Sequence, residues 1–465
     1  MKPLSVKYIT KIIDGNIIQG SNDLMIENCA YRLKQVKRKN TLFFSKKIGL
    51  NWEKMEQYFP LVIVIEESIE INNKKTNILG LTIIQVKDLQ KALWNFIKHY
   101  RGLFNIPIIA ITGTSGKTTT KEMIKHILEE DKKVAATSRS NNSRTAHLEY
   151  LLNIDDETDA AVFETAVGAP GDILNASEYF APTIGVITNI GSHHLNFCKT
   201  EEEYINAKGE MVRAVGENGV LIINADDLNC KKINLENFKG KIVTIGIHSN
   251  AHFKASHLKY KDNGMDFILN YKGHYYPIFV PGFGEHQVFN ALAAVAAVKN
   301  IGGSIPKSIA RIRTFKPLNK HLQFFNGKNG SKIIDDTWSS NTTSLEAALK
   351  VLSAVGKDKK KVAILSSFTD LGSWNYIIHE RAGEFIAKTD IDVLITLGPI
   401  SKWMANRALD HGFNGLHYSF GNSDQVVNFL EKTINEKTLI LVKGDMYAKV
   451  PKEIVSKLIE REPFN

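Results

Sequence analysis

The chain has little cysteine. Cys29, Cys198 and Cys230 are the only three in 465 residues, widely spaced and in no CxxC or metal-ligand pattern. That excludes a disulfide framework and fits a reducing compartment. Long apolar runs are also missing: no stretch approaches the roughly 18 residues that a spanning helix needs. Residues 1–16, MKPLSVKYITKIIDGN, lack the apolar centre of a secretory leader. A cytoplasmic protein with no transmembrane segment is therefore expected. There is no internal repeat and no low-complexity tract. The net charge of +10 is scattered rather than gathered in a tail. It suits polyanionic ligands such as nucleotides, but no nucleic-acid recognition signature accompanies it, so no nucleic-acid partner is expected. With 43% hydrophobic and 23% charged residues, the chain can bury sizeable cores, and its length allows about three domains.

The most informative stretch is IPIIAITGTSGKTTTKEMIKHILEE, residues 106–130. A β-branched apolar run (Ile106 to Ile111) reads as a buried parallel strand. Gly113-Thr114-Ser115-Gly116 reads as a tight turn, and Met123, Ile124, Ile127 and Leu128 recur at helical spacing. Strand, glycine loop and helix in that order form the context of a phosphate-binding loop. Gly113 and Gly116 would let backbone N–H groups approach phosphate oxygens. The helix N-terminus adds partial positive charge. Lys117 would reach the β/γ-phosphates and the Thr118 hydroxyl suits Mg²⁺, so Gly113, Thr114, Ser115, Gly116, Lys117, Thr118 and Thr119 are the expected nucleotide-binding segment. Position 111 is Ile where the strict pattern has Gly.

Three units are expected. Residues 1–101 read as a small mixed α/β domain. Residues 102–315 open with the phosphate loop. They alternate strands (Ala160 to Phe163, Thr183 to Thr188, Gly219 to Ile223, Lys241 to Ile245) with helices, which predicts a mostly parallel sheet with helices on both faces. Phe253 to Phe279, broken at Asn263-Gly264 and Lys272-Gly273, predicts antiparallel hairpins, and Gln287 to Lys299 an Ala-rich helix. Residues 316–465 read as a further, Rossmann-like α/β domain, with strands at Lys332 to Ile334, Lys361 to Leu365, Val393 to Leu397 and Thr438 to Val442.

Several residues at strand ends could carry chemistry, since ligands of open parallel sheets sit there. Glu164 could hold Mg²⁺ directly or through water, or be a solvated carboxylate. His193-His194 could bind metal or phosphate, or fill surface. Lys208 in Ala-Lys-Gly-Glu reads by itself as a surface lysine. Asp226, Asp227, Asp335 and Asp336 could bond ribose or cap helices. His286 and Asn290 share a helix face. His379, before Glu380-Arg381, reads as part of a solvated face.

Taken in order, ITGTSGKTTT, AVFETAVGAPGDI, ITNIGSHHLNF, EYINAKGEM, LIINADD, HQVFNALAA and IIDDTWSSN resemble the Mur ligase family of ATP-dependent amide-bond ligases, over essentially the whole chain. The resemblance implies a substrate carboxylate phosphorylated by ATP to an acyl phosphate, then attacked by an amine. In the most similar branch the acceptor is a UDP-muramoyl tripeptide and the amine D-alanyl-D-alanine. It implies an N-terminal domain for the UDP end, a central domain for ATP, and a C-terminal domain for ATP and the amine. It also implies ATP with two Mg²⁺ ions; a monomer is expected. Glu164 and His194 match metal-site positions, Lys208 a lysine carbamylated in the family, and His286, Asn290 and Asp336 nucleotide-contacting positions. Lys117, Glu164, His194 and Lys208 would then be the catalytic set.

Other blocks depart. Ala30-Tyr31-Arg32 stands where the family's uridine turn has Asp-Ser-Arg, and Asn141 to Thr145 carries Ser143 at an acidic position, followed by the basic Arg144. Lys443-Gly444-Asp445-Met446 replaces Lys-Gly-Ser-Arg. The arginine before Asp335-Asp336 is absent, with Lys320 nearest. Two alternatives therefore stand beside the main expectation: a related ligase joining another acid and amine, and a nucleotide-binding regulator without catalysis.

Overall fold

A computed structural model describes residues 1–47, 51–69, 78–138, 147–191 and 195–460. The chain forms two compact units. One comprises residues 1–108, 131–163 and 175–182, the other residues 109–130, 164–174 and 183–465.

The first unit holds a five-stranded sheet ordered Gly15–Gln19, Leu81–Val86, Leu61–Glu66, Thr41–Phe44 and Asn28–Ala30. Only the first pair is antiparallel. Leu61 to Ile65 are fully buried, as strands covered on both faces require. The helix Leu89–Gly102 buries Leu89, Ala92, Leu93, Phe96, Ile97 and Tyr100 on one stripe, and Asp88 caps it by accepting from the Lys91 N–H. The Tyr100 hydroxyl donates to the Ile154 carbonyl at 2.7 Å. The strand Val134–Ala136 pairs in parallel with Ala160 to Val162. At the end of the sheet, the Tyr31 and Arg32 N–H groups both donate to Gln35 Oε1.

The second unit carries two sheets. In the first, Ile108–Thr112, Ile184–Ile187, Val220–Asn224, Lys241–Gly246 and Phe253–Lys261 pair in parallel. Gly264–Tyr271 and His274–Pro281 then extend it as antiparallel hairpins. The Lys272-Gly273 turn has both φ angles positive (52° and 79°), which matches the right-handed twist of the strands it joins. The second sheet is ordered Gln323–Asn326, Lys332–Asp336, Thr438–Lys443, Lys360–Ser366, Val393–Leu397 and Leu416–Phe420, parallel except for its first strand. One apolar cluster runs from Ile187, Tyr204 and Met211 to Leu345, Leu365 and Leu441, so the two sheets of this unit share a core.

The inner strands and the hairpins of the second unit lie where the sequence pattern puts them, with two additions to the second sheet; the short strands Asn28–Ala30 and Val134–Ala136 of the first unit carry no such mark in the sequence. Leu416–Phe420 and Gln323–Asn326 are its edge strands and are only half-buried, so they lack the continuous apolar run that marks the inner ones. His379 departs from its solvated reading. It is fully buried, its Nε2 accepts from the Phe368 N–H at 3.0 Å, and its Nδ1 bonds the Asn375 carbonyl at 2.7 Å. Among the described residues no helix is long and apolar enough to cross a membrane.

Candidate active site

The strand Ile108–Thr112 delivers the chain into the glycine loop, and the helix Lys117–Leu128 leaves it. Both glycines are demanded by close neighbours. A Cβ on Gly113 (φ 143°) would lie 2.0 Å from Thr188 Oγ1, and one on Gly116 (φ 83°) 2.4 Å from Asn290 Oδ1. The loop is pinned from the next strand. The Ser115 N–H donates to Asn189 Oδ1 and Asn189 Nδ2 donates to the Ser115 carbonyl, both at 2.9 Å. The Thr188 hydroxyl donates to the same carbonyl at 2.6 Å, and the Thr114 N–H donates to the Asn189 carbonyl. The amides of Thr114 and Ser115 are thus bonded within the protein. The first helical bond runs from the Thr120 N–H to the Gly116 carbonyl. The N–H groups of Lys117, Thr118 and Thr119 therefore lack an intrahelical acceptor, the arrangement in which a helix N-terminus can receive an anion.

Lys117 Nζ folds back onto the Gly113 and Thr114 carbonyls at 2.9 and 3.1 Å. Burial lowers its pKa, with Glu164 opposing the shift. The Thr118 hydroxyl donates to Glu164 Oε2 at 2.8 Å, and Glu164 is 1% exposed. Lys208 is equally buried, which overturns its reading as a surface lysine. Its ammonium sits 5.0 Å from the Tyr204 ring. Its pKa is pushed well below the ordinary value, first by burial and then by the neighbouring Lys117, while Glu164 and Asp172 act the other way. Tyr204 and Thr114 hydroxyls meet at 3.3 Å, and Thr114 Oγ1 accepts from the Gly191 N–H at 2.8 Å. His193 and His194 lie outside the described residues, as do Asn141 to Thr145.

The second sheet contributes from its carboxyl ends. Asp336 is paired with the buried Lys443 at 2.5 Å and accepts from the Leu322 N–H. Lys443 also donates to the Ser339 carbonyl at 3.0 Å. His286 lies close enough for Asp336 to raise its pKa, but burial wins and lowers it to about 4. Asn290 Oδ1 accepts from the Thr120 hydroxyl at 3.2 Å, and its Nδ2 donates to Gln287. The Ser115 hydroxyl donates to Asn341 Oδ1 at 3.2 Å. Asn341 is the cap of the helix Thr342–Val355, so the glycine loop and the second sheet meet there. His321 and Trp338 rings lie 5.8 Å apart.

The structure therefore gathers Lys117, Thr118, Glu164 and Lys208 around the loop, and His286, Asn290 and Asp336 beside it. Asp226 and Asp227 serve the backbone instead. Asp226 accepts from the Ile247, His248 and Ser249 N–H groups, and these bonds hold its carboxyl at about 2 despite the opposing effect of burial. Asp227 accepts from Ile190, Asn229 and Cys230. Asn189, Tyr204 and Asn341 bond the glycine loop without a role having been assigned to them in the sequence, and Lys443, noted there only within a departing block, pairs with Asp336. The available signal was position, a polar side chain at the end of a parallel strand or one helical turn from Lys208.

Among the described residues no cluster of three His, Cys, Asp or Glu side chains could hold a metal. A hydroxyl bonded to a buried carboxylate at a helix N-terminus still fits Mg²⁺, which keeps several waters and takes one or two carboxylates plus substrate phosphates.

A Mur ligase middle-domain model matches residues 111–298, and a Mur ligase glutamate ligase domain model matches residues 322–446. The UDP-N-acetylmuramoyl-tripeptide–D-alanyl-D-alanine ligase of Bacillus subtilis is 28% identical over 378 residues, 81% of each chain. That of Haemophilus influenzae is 26% identical over 478 residues, 98% of each. Among solved structures, MurF from Acinetobacter baumannii superposes with a TM-score of 0.83 at 22% identity, covering 98% of this chain and 99% of that one. MurF of Thermotoga maritima in complex with ADP gives 0.77 at 19% identity, covering 93% and 96%. A pseudomurein peptide ligase type C from Methanothermus fervidus gives 0.65 at 20% identity, covering 90% and 94%. At these identities the structural likeness carries the fold.

Proposed function

The chain belongs to the Mur ligase family, and from that premise we propose that it is an ATP-dependent carbon–nitrogen ligase that adds D-alanyl-D-alanine to UDP-N-acetylmuramoyl-tripeptide. The observation that carries this reading is the Thr118 hydroxyl donating to buried Glu164 at 2.8 Å, at the end of the phosphate-binding helix. Residues 1–101 would hold the UDP end of the acceptor, 102–315 the ATP, and 316–465 part of the ATP and the amine, in a monomeric cytoplasmic enzyme.

In this reading the acceptor carboxylate attacks the γ-phosphate and ADP leaves. The amine then attacks the acyl phosphate, loses a proton and expels phosphate. Such transfers need positioning and charge neutralisation rather than covalent help from the protein. Lys117 would leave the Gly113 and Thr114 carbonyls for the transferred phosphate. The free N–H groups of residues 117–119 would hold it in place. His286, Asn290 and Asp336 would face the nucleotide. Thr118 and Glu164 would hold one Mg²⁺, and His194 with Lys208 a second. Bound there, the metal would neutralise charge on the γ-phosphate and the attacking carboxylate. The lowered pKa of Lys208 supports a neutral amine, the form that adds CO₂ and loses a proton to become a carbamate.

The test is a mass-spectrometric product search with ATP, Mg²⁺, the tripeptide acceptor and D-alanyl-D-alanine. A pentapeptide product is expected. A second reading, a ligase of the same chemistry for another acid or amine, is favoured by Asp445. Its carboxylate accepts from the Thr369 hydroxyl and the Tyr447 N–H, both at 2.6 Å, beside uncharged Met446. ATP binding with no pentapeptide, and a product with another amine, would select it. ATP binding with no phosphate release under any substrate mixture would instead select a non-catalytic regulator.

A further inference from the structure

Glu210 takes no part in the chemistry described so far, yet it is a carboxylate only 8% exposed. It directly follows the helix Glu201–Gly209, two residues beyond Lys208. Its Oε1 accepts from the Gly171 N–H at 2.6 Å, and its Oε2 from the Leu174 N–H at 3.4 Å. Gly171 lies in the loop that leaves Glu164. That loop is tied at its start by the Thr165 N–H to the Ile111 carbonyl. It is tied in its middle by Asp172 Oδ2, which accepts from Gly168 and Ala169 at 2.8 Å each. Glu210 supplies the third tie, and the only one of the three that comes from the helix bearing Lys208.

We infer that Glu210 is a positioning residue: by holding the Gly171 end of the loop to the Lys208 helix, it sets the separation between Glu164 and Lys208. A buried carboxylate receiving backbone N–H groups is a strong, directional anchor. Groups that orient metal-facing residues typically carry tenfold or more of the metal affinity when removed. The inference rests on the assignment of Glu164 to a divalent-metal site.

Binding of Mn²⁺, used in place of Mg²⁺, would be read by electron paramagnetic resonance with ADP present for wild type, Glu210→Gln, Glu210→Asp and Glu164→Gln. Nucleotide binding without metal would be read by calorimetry. Glu210→Gln puts an amide where two N–H groups need acceptors, so Mn²⁺ affinity should fall tenfold or more. Glu210→Asp should lose less, with metal-free ADP binding within twofold of wild type. If Glu210→Gln does not fold, Glu210→Asp alone decides, on the same readouts. If Glu164→Gln weakens Mn²⁺ and the Glu210 variants do not, the positioning role falls and the metal site stands. If Glu164→Gln has no effect, both fall. Equal losses of metal and metal-free nucleotide binding in the Glu210 variants would show a general packing role and overturn the inference.

Discussion

Asn189 and Ser115 exchange two hydrogen bonds of 2.9 Å, side-chain amide against backbone peptide, as two strands of a sheet would. This pairing holds the glycine loop in a conformation that its own short sequence does not enforce. Asn189→Ala removes both bonds; the Ser115 carbonyl keeps the Thr188 hydroxyl, but the partly buried Ser115 N–H loses its acceptor, a cost of about 1–3 kcal/mol. Calorimetry should show ATP affinity lowered by tenfold or more. Asn189→Asp should be worse than its shape suggests, because a carboxylate cannot donate to the Ser115 carbonyl.

The Lys443–Asp336 pair gives a stability prediction. Both side chains are buried, at 1% and 7% exposure. Removing one partner strands the other charge, so Lys443→Met should destabilise by about 3–5 kcal/mol. The double variant Lys443→Met with Asp336→Asn should recover much of that loss. Urea denaturation of the two single variants and the double measures it, and additive losses would contradict a coupled pair.

His286 makes stability depend on pH. Its folded pKa of about 4 lies below the ordinary histidine value. Between those two values the unfolded chain binds more protons, so stability rises with pH. The contribution is full above about pH 6.5 and is lost as pH falls towards 4. With the residue only half-buried, its size is on the order of 2 kcal/mol. Chemical denaturation of His286→Gln between pH 4 and 7 should show a shallower slope than wild type.

Thr118 separates a metal role from a packing role. Thr118→Val keeps the shape and removes the donor to Glu164, whereas Thr118→Ser keeps the hydroxyl. The Mg²⁺ concentration for half-maximal ADP release should rise about tenfold in the first and stay near wild type in the second. Equal behaviour of the two variants would remove Thr118 from the metal site.

Much of this was readable in the linear chain. The inner strands are short apolar runs because both faces of a parallel strand are covered, and the hairpins announce themselves at Asn263-Gly264 and Lys272-Gly273. The glycine loop is legible because strand, turn and helix are contiguous there. Edge strands such as Leu416–Phe420 were not, since half-exposed strands need no apolar run.

What the sequence by itself determined is therefore local: the periodicity of helices and strands, the place of the phosphate loop, and the order of blocks that resemble one ligase family. The tertiary structure alone decided which polar groups meet. Lys208 and His379 sit on helices whose sequence reads as solvated, and only packing buries them, changing the charge state that Lys208 can hold. Thr118 and Glu164 are 46 residues apart and touch; Asp336 and Lys443 are 107 apart and pair. Asn189 and Glu210 look like ordinary polar residues until the strand and helix that carry them are set beside the loops they hold. Hydrogen bonds and desolvation act over a few ångströms, and only folding brings residues that far apart along the chain to that distance.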